Sequence, residues 1–184
     1  MSNFIIKNKI NNEAEIDIFG DIGADWFGEG ITFESIKNQL SEISAQTIKL
    51  NISSLGGDVN DALVIYNLLK TNPAKVEANI MGFTASSATI IAMSADTVKM
   101  DNNASFLVHN AWTGAVGNQH DLREIAEDLE RIDNKLISIY KDKTSMRKDT
   151  LANLMKEERW LDASEAKSMG FVDETYKPMK AAAS

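Results

Sequence analysis

Short runs in which apolar and polar residues alternate are separated along the chain by longer stretches of three-and-four spacing. "AEIDIFG" (14–20) sets Ile16 and Ile18 on one face and "TIKLNI" (47–52) sets Ile48, Leu50 and Ile52 on one face, the signature of half-buried strands. Between them Phe33, Ile36, Leu40 and Ile43 form one helical stripe. After the second strand comes "SSLGGDV", a turn with a double glycine. Val59, Ala62, Leu63, Tyr66 and Leu69 then line one face of a helix from about Asp58 to Lys70, with Pro73 to stop it. "KVEANIM" (75–81) reads as a strand, and "GFTASSATIIAM" (82–93) as a turn leading into a buried helix. "DTVKM" (96–100) and "SFLVHN" (105–110) read as two more short strands. Leu122, Ile125, Leu129, Ile132, Leu136 and Ile139, alternately three and four apart, predict a long amphipathic helix over 118–141. Its narrow seam suits packing against one partner. A last helical region is carried by "RWLDASEAKSMGFVDE" (159–174), with Gly170 as its stop.

Strand and helix thus alternate in short units, which predicts an α/β fold with mainly parallel strands. Functional groups of such sheets gather at the carboxyl ends of strands, where both "SSLGG" and "FTASS" fall. At 184 residues, with two prolines and no Gly/Ser-rich or Pro-rich stretch, the chain reads as a single domain over 1–184. An N-terminal segment of about residues 1–13 and a flexible tail of about 176–184 are expected to flank it.

Composition narrows the function. A net charge of -8, from 27 acidic against 19 basic residues, argues against a nucleic-acid partner and against docking on anionic membranes. The absence of cysteine rules out disulfides, thiol catalysis and cysteine-ligated metal. "MSNFIIKNKI" lacks the apolar core of a signal peptide and no run approaches transmembrane length, so a cytoplasmic protein is the default expectation.

Two adjacent serines, Ser86 and Ser87, stand at the strand-to-helix junction. A serine there is either a helix cap or a nucleophile whose oxyanion the free N–H groups of the first turn can hold. The double glycine at 56–57 can present a further N–H with no side chain in the way. For a base the chain offers only His109, at the end of a strand, and His120, at the start of the long helix. Taken separately, each signal has a structural reading: a cap, a tight turn, a hydrogen-bonded strand histidine.

Together, in order and spacing, they match one family. From about Ala14 to Glu174 the chain resembles the proteolytic subunit of the Clp protease (ClpP), on "LNISSLGGDVNDALVIYNLLK", "GFTASSATIIAM", "FLVHNAWTGAVGNQHDLR" and "EERWLDASEAKSMGFVDE". "WTGAVGN" and "GDIGADWFGEG" are most similar to the ClpP-like proteases of phages and prophages. The resemblance implies a ClpP/crotonase-like spiral of βαβ units with a protruding long handle helix. It puts Ser86 at the nucleophile, His109 at the base, and the backbone N–H groups of Gly57 and Ser87 in the oxyanion hole. Glu158 falls at the position of the acid. Three departures accompany it: Leu55 where the family usually has proline, Ser87 and Ala88 for the usual Met-Gly, and glutamate for aspartate at 158. Asp162, four residues on, shares a face with Glu158 if that segment is helical, so Glu158, Asp162 or neither remains open as the acid.

The function so implied is a serine endopeptidase acting through an acyl-enzyme, with no metal or organic cofactor. It implies a ring-forming homo-oligomer whose sites face an enclosed chamber and whose substrates are polypeptides. The phage resemblance points first to processing of capsid or scaffold proteins in head maturation. The housekeeping alternative is degradation of proteins delivered by an ATP-driven (AAA+) unfoldase. Two other classes remain: a catalytically inactive ring scaffold, and a crotonase-type acyl-CoA enzyme that uses paired oxyanion N–H groups without a Ser–His pair.

Overall fold

Alternation in the strands becomes a sheet that, among the described residues, is covered by helices on one face. The computed structural model describes residues 7–10, 12–24 and 29–177. Most of the expected N-terminal segment, part of the "DIGADWFGEG" connection and nearly all of the expected tail lie outside the described residues. Strands β2 (Glu13–Phe19), β3 (Thr47–Ser54), β4 (Lys75–Ala85), β5 (Thr97–Asp101) and β7 (Glu174–Tyr176) are parallel and lie side by side in that order. β1 (Lys7–Ile10) adds antiparallel to β2 at one edge, and β6 (Ser105–Leu107) pairs parallel with the far end of β4. From β2 to β5, each strand–helix–strand return advances one place along the sheet, which generates the expected βαβ spiral through α1 (Phe33–Glu42), α2 (Val59–Lys70) and α3 (Ser87–Met93).

Ile16, Ile18, Ile48, Leu50, Ile52, Val76, Ala78, Ile80, Val98 and Met100 all point to the helical side and are buried in one core. The other face is polar: the Asn51 amide donates to Asp17 at 2.8 Å and the Asn79 amide donates to Asn51 at 3.2 Å. Parallel sheets covered on both faces read as continuous apolar runs. These strands alternate because only one of their faces enters this core.

The structure departs from the sequence expectations where pairing is long-range. β4 runs on to Ala85, past the expected end at residue 81, because it changes partners. Its register against β3 shifts between Ile52 and Ser54, and Phe83–Ala85 pair with β6 instead of β5. The stretch expected as a turn is therefore strand up to the residue before Ser86. β1 and β7 were not anticipated; the latter has 3 residues, too few for a periodicity. Helix α4 (Gln119–Thr144) is somewhat longer than expected and begins in a capping box formed by Asn118 and Asp121. Its buried residues, Leu136, Ile137 and Tyr140, all lie in its C-terminal half, which packs on α3 and on α5 (Lys148–Glu157). Ile132 and Ile139 also pack against the core, whereas Leu122, Ile125 and Leu129 of its N-terminal half do not enter it, with Leu122 45% exposed. The final helical region shrinks to α6 (Ala163–Ser168), and residues 158–162 are not helical. Glu158 and Asp162 consequently share no helix face, as the periodic reading had allowed. Among the described residues no helix is long and apolar enough to cross a membrane.

Candidate active site

Ser86 occupies the N-cap position of α3, yet its side chain makes no capping hydrogen bond, and its backbone has φ 56° and ψ -134°. A non-glycine residue in such a conformation costs about 1–3 kcal/mol and persists only where its surroundings over-determine it. Here they do. The Ser86 N–H donates to the Leu107 carbonyl at 3.0 Å, tying the junction to β6. Its carbonyl accepts from the Thr89 N–H at 3.0 Å and from the Thr89 hydroxyl at 2.6 Å. The Thr89 oxygen is also 2.8 Å from the Tyr140 hydroxyl of α4. Since the Thr89 proton is committed to a carbonyl, Tyr140 must be the donor of that second bond. Burial pushes the Tyr140 phenol well above its ordinary pKa and so keeps the proton it donates. The local choice between cap and nucleophile is thereby narrowed: the hydroxyl of Ser86 is not used as a cap. Ser87, next to it, is the first residue of α3, where backbone N–H groups have no partner within the helix. Its own hydroxyl is buried and finds no hydrogen-bond partner among the described residues.

The double glycine packs directly against this junction. A Cβ on Gly56 would lie 2.6 Å from Ser86 Cβ and 2.8 Å from the Ala85 carbonyl oxygen, and its φ is +98°. A Cβ on Gly57 would lie 2.1 Å from the Ile22 carbonyl oxygen, at φ +143°. Both positions therefore require glycine, one for approach to the serine and one for approach to residue 22. Ile22 bridges to this turn by donating to the Gly56 carbonyl at 2.9 Å and accepting from the Asp58 N–H at 2.8 Å. Neither backbone group of Gly57 takes part in that bridge, so its N–H remains directed away from residue 22. Where the family turn has proline and this chain has Leu55, the buried Ser54 hydroxyl accepts from the Gly56 N–H at 3.1 Å and pins the loop.

His109 lies two residues beyond β6, with its side chain 15% exposed. Ser86, Gly56, Gly57 and His109 line one cavity of about 490 Å³, together with Asp21, Trp112 and Trp160. Of the candidate acids, Glu158 is the one near His109: its Oε1 is 3.8 Å from Nδ1. That is an ion-pair distance rather than a hydrogen bond, and Glu158 is 63% exposed in a left-handed backbone conformation after α5. Asp162 has another task. It caps α6, accepting from the Glu165 N–H at 2.8 Å while the Glu165 carboxylate accepts from the Asp162 N–H at 3.0 Å. His120 sits exposed in the first turn of α4 and is not among the cavity residues.

Periodic reading missed Thr89 and Tyr140. Thr89 follows Ser86 by one helical turn, a spacing from which a bond to its carbonyl is legible. Tyr140 is 51 residues further on and gave no signal.

A family model described as "Clp protease" matches residues 3–179 of the chain. The ATP-dependent Clp protease proteolytic subunit of Leuconostoc citreum is 35% identical over 147 residues, covering 76% of this chain and 74% of that protein. The subunit of the same name from Streptococcus mutans is 34% identical over 148 residues, covering 76% of each. The ATP-dependent Clp protease proteolytic subunit 2 of Treponema pallidum is 27% identical over 169 residues, covering 89% of this chain and 82% of that one. Among solved structures, a ClpP1 mutant from Listeria monocytogenes superposes with a TM-score of 0.77 at 21% identity, covering 89% of this chain and 91% of the other.

Proposed function

The chain belongs to the Clp protease family of serine endopeptidases, and we propose that it hydrolyses peptide bonds with Ser86 as nucleophile and His109 as base. The observation that carries this reading is the strained, uncapped Ser86 in one cavity with His109 and the double glycine. His109 takes the Ser86 proton as the hydroxyl attacks the scissile carbonyl. The N–H groups of Gly57 and Ser87 receive the developing oxyanion. His109 then gives its proton to the leaving amine and activates water to release the acyl group. The Glu158 carboxylate stabilises the imidazolium by charge. This is a single-chain mechanism that uses no cofactor.

Two features support assembly and a partner. The seam of α4 is left open over its N-terminal half, which suits a ring-forming homo-oligomer of this chain. The relatives are named as proteolytic subunits of an ATP-dependent protease, while this sequence carries no phosphate-binding glycine loop of the G-x-x-x-x-G-K-[ST] type. ATP is then hydrolysed by a separate unfoldase that feeds polypeptide to the chamber. Those names favour this housekeeping role over the capsid or scaffold processing suggested by "WTGAVGN", which gains no support from them.

The test is labelling with a fluorophosphonate probe, with the modified residue located by mass spectrometry. Modification at Ser86 that His109→Ala abolishes is expected. An intact oligomer that takes up no label would refute the protease reading and leave a ring scaffold.

A further inference from the structure

His109 is carried by a segment with no regular structure of its own: between the end of β6 at Leu107 and the start of α4 at Gln119 there is neither strand nor helix. Something must hold the chain there if the imidazole is to stay in the cavity. Glu158 is poorly placed to do it. At 3.8 Å and 63% exposed it supplies charge without a directed hydrogen bond, and exposed pairs of this kind are worth at most about 1 kcal/mol.

Asp133 does reach the segment. It lies on α4, beside Ile132, which packs against the core, and just before the first fully buried residues of that helix, Leu136 and Ile137. Its Oδ2 accepts from the Asn110 side-chain amide at 2.6 Å, and its Oδ1 accepts from the Ala111 N–H at 2.8 Å. One carboxylate thus uses both oxygens on the two residues that follow His109, in charge-assisted bonds that are about twice as strong as neutral ones. We infer that Asp133 is a positioning residue for His109, clamping the chain on its carboxyl side so that the imidazole faces Ser86. It touches no reacting atom. The inference rests on the Ser86–His109 reading above.

The experiment uses the full chain and reads three quantities: the rate of fluorophosphonate labelling at Ser86, kcat and KM on a peptide substrate, and Tm. Asp133→Ala is expected to slow labelling and lower kcat by about 10–100-fold with KM nearly unchanged, since a misplacement of about 1 Å costs roughly that much. Asn110→Asp replaces the donated hydrogen bond by two opposed carboxylates and is expected to lower the rate at least as much as Asp133→Ala. Combining Asn110→Asp with Asp133→Asn exchanges the amide and the carboxylate. The side-chain bond between positions 110 and 133 re-forms with donor and acceptor exchanged, the amide oxygen now at 133 still accepts from the Ala111 N–H, and most of the rate is expected to return. A purely structural role predicts something else: rate losses that track Tm, and no rescue of rate by the exchange. That pattern, or Asp133→Ala labelling as fast as the parent, overturns the inference. Parent protein that labels at Ser86, His109→Ala that does not, and Asp133→Ala that labels as fast as the parent would remove this inference alone. No label on the parent would remove the protease reading with it.

Discussion

Removing one hydroxyl from either of two neighbouring serines is expected to have opposite effects. The Ser87 hydroxyl is buried, 3% exposed for the residue, with no hydrogen-bond partner among the described residues. An unsatisfied buried hydroxyl costs about 1–3 kcal/mol. Ser87→Ala removes that cost. Against this stands the loss of one oxygen's packing, a fraction of a kcal/mol. The net expectation is a gain of about 1–2 kcal/mol, or roughly 2–8 °C in Tm for a chain of this length. Turnover is retained, because only the backbone N–H of Ser87 is asked to act. Ser86→Ala, by contrast, leaves Tm within a degree or two and lowers kcat by at least about 10⁴-fold, the scale of losing a serine nucleophile. Thermal unfolding, peptide hydrolysis and fluorophosphonate labelling read all of this on the same preparations. Loss of turnover in Ser87→Ala at unchanged Tm would invert the assignment. Turnover surviving in Ser86→Ala would refute it outright.

Four further expectations follow from the same geometry. Gly56→Ala should abolish labelling at Ser86, because its Cβ would meet Ser86 Cβ at 2.6 Å and the backbone cannot retreat at φ +98°; labelling at the parent rate would show that the turn can move. Thr89→Val strips the hydroxyl from the Ser86 carbonyl and strands the Tyr140 hydroxyl in the core, so it should cost about 1–3 kcal/mol and slow turnover. Tyr140→Phe keeps the Thr89 bond to the Ser86 carbonyl and should cost only about 1 kcal/mol, an order that denaturant midpoints would check. Glu158→Ala should lower kcat about tenfold at constant Tm, short of the loss seen on removing a buried triad acid, whereas Asp162→Ala should cost about 1 kcal/mol as a lost helix cap and spare kcat. The Asp162 backbone N–H, and then Arg159, hold the Glu165 carboxyl below the ordinary glutamate range. The cap's contribution is thus full above that range and is lost as pH falls through the lowered value, which amide exchange in α6 would follow; protection unchanged down through that range would refute it.

Much of the fold was legible because β2, β3 and the first half of β4 alternate against a single core, and α2 and α4 keep a strict apolar face. The end of β4 was not. Gly82, Phe83, Thr84 and Ala85 have no alternation that separates strand from turn, and what makes them strand is a partner, β6, some twenty residues away. α5 was missed although Leu151, Leu154 and Met155 repeat at helical spacing and are buried. Glu158 was placed by motif alone, and periodicity then misled about Asp162, whose capping box with Glu165 is itself a sequence signal. The serine and glycines were readable as candidates but not as a site. What distinguishes Ser86 from Ser87 in the fold is a backbone torsion, and the bonds around it come from Leu107, Thr89 and, through Thr89, Tyr140, residues from three elements.

Two departures from the family pattern can then be weighed by what stands in for them. Proline at position 55 would pre-set the turn through its fixed φ. With Leu55 there, the same loop is restrained from the residue before, by the buried Ser54 hydroxyl on the Gly56 N–H. Glutamate at 158 adds a methylene and a rotatable bond, and its carboxylate is more exposed than the imidazole it faces. Such a group can balance the charge of an imidazolium, but it orients the ring weakly. An enzyme built this way needs its histidine held by the main chain, and the Asp133 contacts to Asn110 and Ala111 are the ones among the described residues that anchor the two positions after it. On the proposed assignment, the acid's two duties, charge and orientation, would be divided between residues on different elements. Glu158→Ala and Asp133→Ala should for that reason differ in kind: the first loss shrinks as salt screens an exposed pair, and the second does not.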